Sequence, residues 1–255
     1  MISVYFQSIL IALVQGVSEF IPVSSSAHLL LISNLSKFNY TSLEVDISLH
    51  LGSLLAILVY FWKDLINILD YKKLLHLIIF GSIPLIVIGF IVNYFDVIYL
   101  LRNLKLIAWT TLIFGIVLFF ADKKIAKNNI ENNLNFKNII VIGLFQVLAL
   151  IPGVSRSGIV ITASRMFGFK RVDSAKISFF LSIPALFGAS VLGAGDILNK
   201  NIDFNFIILI SIFFSFIFSF LTIKYLLKYL EKFSLNIFIY YRIILSIILF
   251  LIVYG

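Results

Sequence analysis

Apolar runs recur along the chain at a length of about 20 residues, enough for a helix to cross roughly 30 Å of hydrocarbon. Uninterrupted runs predict transmembrane helices over about 45–62, 73–93, 104–121, 173–197, 204–227 and 234–254. Two further apolar stretches are broken midway by polar residues. Residues 1–14 lead into Gln15-Gly16-Val17-Ser18-Glu19-Phe20-Ile21-Pro22-Val23-Ser24-Ser25-Ser26-Ala27-His28 and then Leu29–Leu35. Neither flank is long enough to span, so this segment predicts a re-entrant hairpin that breaks near Pro22 and returns. The stretch over about 138–168 repeats the plan around Ile151-Pro152-Gly153-Val154-Ser155-Arg156-Ser157-Gly158. There Pro152 and Gly153 stop the arriving helix, and Ser155 caps a new one.

The two broken stretches predict an internal repeat. Gln15 lies nine residues before Ser24 and Gln146 nine before Ser155, a shift of 131, and each polar tract carries a proline and a Ser-x-Ser. One hairpin plus three spans is an odd number of crossings, so the second half is inverted relative to the first. The expected fold is therefore an all-α polytopic membrane protein built from two inverted repeats, 1–121 and 138–255, joined by the charged, Asn-rich loop 122–137. The hairpins would enter from opposite faces and meet near the midplane.

Composition agrees and narrows the function. Hydrophobic residues make up 61% of the 255 and charged residues 13%, and mean hydropathy is +1.10, which excludes a soluble domain. There is no cysteine, hence no disulfide, thiolate catalysis or Cys-ligated metal. The first apolar run lacks a basic leader and runs straight into polar motif residues, so we do not read it as a cleavable signal. The net charge of +8 carries no aromatic-basic nucleic-acid pattern and reads as an orientation signal. Thirteen lysines and arginines, within 63–73, 122–137, 170–176 and 224–232, fall on one face, against Lys37, Arg102, Lys105 and Lys200 on the other. The first face is then cytoplasmic, both termini lie outside, and the Gln15–His28 hairpin enters from outside.

The candidate chemistry sits at the two breaks. An arginine at mid-bilayer depth costs about 2.5–3.5 kcal/mol, so Arg156 needs a partner or a task; the plainer alternative is snorkelling to an interface. A helix broken inside the membrane exposes backbone N–H groups, here around Gly153 and Gly158. With the Ser155 and Ser157 hydroxyls and the Arg156 guanidinium they suit an oxyanion such as phosphate. Gln15 and Glu19, four apart, share a helix face. A carboxylate there binds a cation, pairs with a base or stays protonated. Ser24, Ser25 and Ser26 cap the return helix with His28 a turn further on, placing a candidate nucleophile beside a candidate base. Serines that merely cap and pack small are the structural alternative. Asp46 and His50, also four apart, start a span and could line the cavity from the side. Glu44 reads as surface, and His76, Trp62 and Trp109 as interfacial. Arg242 reads as a structural partner inside the last span, and Arg165 as a cation favoured by a helix C-terminus. Without cysteine or a histidine cluster, the site suits Mg²⁺ or Ca²⁺ better than zinc.

These residues resemble the undecaprenyl-diphosphate phosphatases of the bacitracin-resistance type, integral membrane enzymes of bacterial cell-wall synthesis. Gln15–Ser25 matches the family's (Glu/Gln)-x-x-x-Glu run followed by Pro-Val-Ser-Ser, and Pro152–Gly158 matches Pro-Gly-x-Ser-Arg-Ser-Gly. Asp46–Ser53 and Arg242 also look like family positions, and the order of spans agrees along nearly the whole chain. The resemblance implies a metal-dependent hydrolase that removes the terminal phosphate of a C55 polyprenyl diphosphate, leaving the monophosphate carrier for reuse. It implies a bacterial cytoplasmic membrane protein with its site open to the outer face and with lipid as substrate; a homodimer is an open question. Carried over, Gln15 stands at the first acidic position and Glu19 at the second. Glu19 is thus the metal-ligand candidate, with Gln15 a weaker one. Ser25 falls on the nucleophile or phosphate-contacting serine, His28 on the motif histidine and Arg156 on the phosphate-binding arginine. Val160 stands where the family has a threonine, with Thr162 out of register. The rival function is a lipid-phosphate transporter or flippase, because inverted repeats with broken helices are a common transporter plan.

Overall fold

A computed structural model describes residues 4–35, 43–70, 72–95, 101, 103–199 and 206–255. Lys37, Arg102 and Lys200, and the side chain of Glu44, lie outside the described residues. The described chain is helical: α1 Val4–Ser18, α2 Ser25–Leu35, α3 Leu43–Tyr60, α4 Trp62–Asp70, α5 Lys72–Tyr94, α6 Leu104–Asp122, α7 Ile130–Asn133, α8 Phe136–Val147, α9 Arg156–Met166, α10 Arg171–Asn199, α11 Phe206–Leu230 and α12 Asn236–Tyr254. Among the described residues, α5, α6, α10, α11 and α12 are long and apolar enough to cross a membrane. The protein is a multi-pass membrane protein. The shorter α3 follows the same apolar pattern and stops at Tyr60, two residues before the sequence pattern does. From there α4 turns off as an amphipathic helix with Trp62 and Ile66 exposed.

Helices α1 and α8 have 15 and 12 residues; at 1.5 Å per residue both are too short to cross roughly 30 Å. Each is followed by a turn and a returning helix, as the broken apolar stretches predict. Outward-facing large side chains such as Phe90, Phe213, Ile244 and Leu251 are exposed, as suits a lipid solvent. The interior instead buries many serines, and helices approach closely where side chains are small. A Cβ on Gly52 of α3 would lie 2.5 Å from the Ile212 carbonyl of α11, so only glycine fits that crossing. Beside it, Ser53 Oγ is 3.0 Å from Ser219 Oγ, and Ser215 Oγ donates to the Leu49 carbonyl at 2.6 Å.

The loop 122–137 is folded onto the helix ends. Asn135 and Asn138 form a reciprocal cap at the start of α8. Asp122 Oδ1 accepts from Arg165 Nε at 3.2 Å and from Arg171 Nε at 2.8 Å, and Asp122 Oδ2 accepts from the Leu235 amide at 3.2 Å. Arg165 also donates to the carbonyls of Asp122 and Lys124, at 2.8 and 2.6 Å. Arg165 is therefore more than a cation favoured by a helix dipole. It is buried, and with Asp122 it ties the loop to α9, α10 and the start of α12.

Candidate active site

The break in the first hairpin follows from Glu19–Val23, where helical bonding ends and the chain turns. Ser24 takes φ of 81° and its Oγ accepts from the Ala27 amide at 3.4 Å, starting α2. In the second hairpin a 3-10 turn at Leu148–Leu150 leads to Gly153 at φ of 90°; Ser155 takes φ of 69°, and its Oγ accepts from the Gly158 amide at 3.1 Å. Ser24 and Ser155 are the only non-glycine residues with left-handed backbone among those described, and they are related by the shift of 131 seen in the sequence. A side chain in that conformation costs on the order of 1–3 kcal/mol and persists only where surroundings enforce it.

The two breaks meet. The Gly153 amide donates to Ser26 Oγ at 3.4 Å, and Ser157 Oγ donates to the Ile21 carbonyl at 2.9 Å. Glu19 lies between the hairpins. Its Oε1 accepts from Arg156 Nη2 at 2.6 Å, and its Oε2 accepts from Ser25 Oγ and from Gln15 Nε2, each at 2.9 Å. Arg156 Nη1 donates to the Ser182 carbonyl of α10 at 3.1 Å. Gln15 Nε2 also lies 3.0 Å from His50 Nδ1. Side-chain exposure is 14% for Arg156 and 8% for Glu19, which makes this a largely desolvated pair.

Several of these groups line a cavity of about 280 Å³. Its lining combines polar residues, Ser18, Glu19, Ser24, Ser25, Ser26, His50, Ser155 and Arg156, with apolar ones, Leu85, Ala149, Leu150, Ala185, Leu186 and Ala189. The lining thus offers polar groups that suit a phosphate and apolar groups that suit a hydrocarbon chain. A larger cavity of about 600 Å³, among Asp64, Lys73, Glu131, Asp173 and Lys176, contains none of the hairpin residues.

Several expected site residues have other surroundings. His28 lies outside the cavity. Its Nδ1 is 2.6 Å from the Ser24 carbonyl, which makes it the donor, and its Nε2 is 2.6 Å from the Tyr241 hydroxyl. The rings of His28 and Tyr241 stack. The side chain hydrogen-bonded to Ser25 is thus Glu19, and His28 is turned to the Ser24 carbonyl and Tyr241. The Gly153 amide is used across to Ser26 and the Gly158 amide by Ser155, and Ser157 bonds across to Ile21 without lining the cavity. Asp46 is exposed and off the cavity, whereas His50, four residues on, reaches it. Thr162 Oγ1 donates to the Gly158 carbonyl at 2.7 Å and Val160 is buried among apolar side chains. Trp62, Trp109 and His76 are exposed. Nothing in the sequence points to Tyr241, 213 residues from His28, or to the Ser182 carbonyl.

Among the described residues, Glu19 is the only carboxylate lining the cavity, no group of three or more His, Asp or Glu side chains forms a metal cluster, and the neighbouring Gln15 Oε1 is buried without a partner. One carboxylate and one spare amide oxygen fit a hard cation that takes its other ligands from phosphate and water, the usual manner of Mg²⁺.

The family model described as "Bacitracin resistance protein BacA" matches residues 8–248. A protein of Pelagibacter ubique (strain HTCC1062) named "Undecaprenyl-diphosphatase" is 54% identical over the full length of both chains. Proteins of the same name from Alteromonas mediterranea and Elusimicrobium minutum are 41% and 39% identical, over 77% and 95% of this chain and 78% and 95% of theirs. With the family model covering both hairpins and the helices between them, the chain belongs to the bacitracin resistance protein BacA family.

Proposed function

We propose that this protein hydrolyses undecaprenyl diphosphate to undecaprenyl phosphate and inorganic phosphate, recycling the lipid carrier of cell-wall synthesis. The observation that carries this reading is the Ser25–Glu19–Arg156 chain, with contacts of 2.9 and 2.6 Å, in a cavity that is also lined by apolar side chains. The names of the relatives support the same substrate.

The geometry supports a serine nucleophile. In the resting site Arg156 holds Glu19. A diphosphate entering the cavity competes for the guanidinium, whose planar fork matches phosphate oxygens. Glu19 Oε2 is then free to take the Ser25 Oγ proton as Oγ bonds to the terminal phosphorus and the bond to the bridging oxygen breaks. The proton passes to the departing undecaprenyl phosphate. Water then attacks the phosphoserine, Glu19 accepts its proton and passes it to the departing Ser25 Oγ, and inorganic phosphate leaves with Ser25 and the Glu19 carboxylate restored. Arg156 and the α9 N-terminus balance charge on the transferring group throughout. A divalent cation, Mg²⁺ or Ca²⁺, belongs to the proposal: Glu19 and Gln15 would hold it together with the diphosphate, and it would supply further charge neutralisation.

The reading includes inverted repeats 1–121 and 138–255. The shared shift of Ser24 with Ser155 and of Ser26 with Ser157 supports it, as does packing: α1 lies on α11 as α8 lies on α5. The charge asymmetry of the loops supports a cytoplasmic-membrane orientation with both termini outside and the cavity open to the outer face. In a chain without cysteine, single cysteines introduced in 122–137 should react with impermeant reagents only after the cell is opened, and labelling of intact cells would invert this topology. The decisive assay is phosphate release from undecaprenyl diphosphate by purified protein in detergent, with and without chelator. Detergent abolishes transport, so release supports the hydrolase over a flippase, and no release under any cation condition overturns it. The mass of the same preparation tests the homodimer.

A further inference from the structure

Arg242 lies within α12, 1% exposed, yet among the described residues no carboxylate pairs with it. Its guanidinium is satisfied by four carbonyls. Nε donates to Thr111 at 3.2 Å, Nη1 to Pro22 at 3.2 Å and Val154 at 3.0 Å, and Nη2 to Gly153 at 3.0 Å. Three of these carbonyls sit just ahead of Ser24 and Ser155, the two strained residues from which α2 and α9 start. Arg242 therefore lies behind both hairpin breaks, against carbonyls that follow the negative ends of α1 and α8, while the cavity lies before the opposite, positive ends.

The other links between the hairpins are few. Ser26 accepts from Gly153 at a long 3.4 Å, Ser157 donates to Ile21 at 2.9 Å, and Arg156 pairs with Glu19 at 2.6 Å. The last of these is the link that an incoming diphosphate must open. Helix α6 braces the same point, with Thr110 Oγ1 donating to the Pro152 carbonyl at 2.7 Å. It also leaves room for the arginine, since a Cβ on Gly115 would come within 3.3 Å of Arg242 Cβ.

We propose that Arg242 is the positioning residue that keeps Ser25 on one hairpin aligned with Arg156 on the other while substrate separates Arg156 from Glu19. This rests on the phosphatase reading. It touches no substrate and acts through the backbone of both breaks. Planarity matters more than charge here: four bonds from a fixed fork reach the carbonyls of both hairpins and of α6 at once, which a lysine ammonium on a flexible stem cannot reproduce.

The test uses the full-length protein in detergent with undecaprenyl diphosphate. Arg242→Lys should keep its melting temperature within a few degrees and bind substrate with KM changed less than about threefold. Its kcat should fall on the order of 10²-fold, the scale expected of a misplacement near 1 Å. Combined with Arg156→Lys, it should add less than about a threefold further loss, because alignment has little left to align once the guanidinium is gone. Wild-type kcat in Arg242→Lys overturns the inference. So do penalties that multiply in the double variant, which is how a merely structural residue behaves. Should the lysine variant fail to fold, Arg242→Gln, which buries no charge, is held to the same kcat and double-variant criteria. An inactive wild-type protein would sink the phosphatase reading itself, whereas an active wild type with a tolerant position 242 sinks only this inference.

Discussion

Arg156 and Glu19 lie 137 residues apart in sequence and are joined by a 2.6 Å ion pair where two broken helices meet. Neither group is tolerable alone in hydrocarbon. Paired, each gives the other the opposite charge that burial requires.

Arg156→Lys should cripple catalysis while keeping the positive charge. Lysine offers a hydrated point charge in place of a bidentate fork. If Arg156 stabilises charge that develops in the transition state, kcat should fall by roughly two to three orders of magnitude. Steady-state kinetics on folded protein check this, and a rise in KM alone would assign Arg156 to ground-state binding.

Ser25 and Ser26 should separate cleanly. Ser25 Oγ bonds Glu19, whereas Ser26 Oγ accepts a long bond from Gly153. Ser25→Ala should abolish turnover and any phosphorylated intermediate, and Ser26→Ala should keep most activity. Substantial turnover by Ser25→Ala would shift the attack to a water activated by Glu19.

Tyr241→Phe removes the hydroxyl that meets His28 and leaves the stacked ring. Because His28 braces the Ser24 carbonyl without reaching Ser25, the expected result is a modest drop in kcat, under about tenfold. The shape of the kcat pH profile should not change. An acid limb that moves with Tyr241→Phe would assign the role of catalytic base to His28.

Asp122→Asn strips the charge that Arg165 and Arg171 share. Removing one partner of a buried pair typically costs about 3–5 kcal/mol, so the variant should unfold at markedly lower temperature or denaturant. The turnover of the fraction that stays folded should be normal, since the network lies away from the cavity. Thermal unfolding and active-site-normalised kcat measure the two separately.

Hydropathy, proline and glycine were enough to place the five long apolar helices and the two breaks, because the bilayer admits only internally bonded backbone and a 12- or 15-residue helix is too short to cross it. The same physics marked Glu19 and Arg156 as residues needing a reason, and the spacing of four between Gln15 and Glu19 placed them on one helix face. Assigning partners was beyond the sequence. Whether Ser25 faces Glu19 or His28 depends on how the chain turns through Pro22 and Ser24, and both choices have similar sequence spacing. That His50 enters the cavity while Asp46 stays outside depends on how α3 is rotated against α1 and α11. The role of Arg242 was least legible, since its acceptors are backbone carbonyls that every residue possesses. Side-chain identity carries the cost of burying a charge, but only the tertiary structure brings Pro22, Gly153 and Val154 to one guanidinium and so decides where the two hairpins meet.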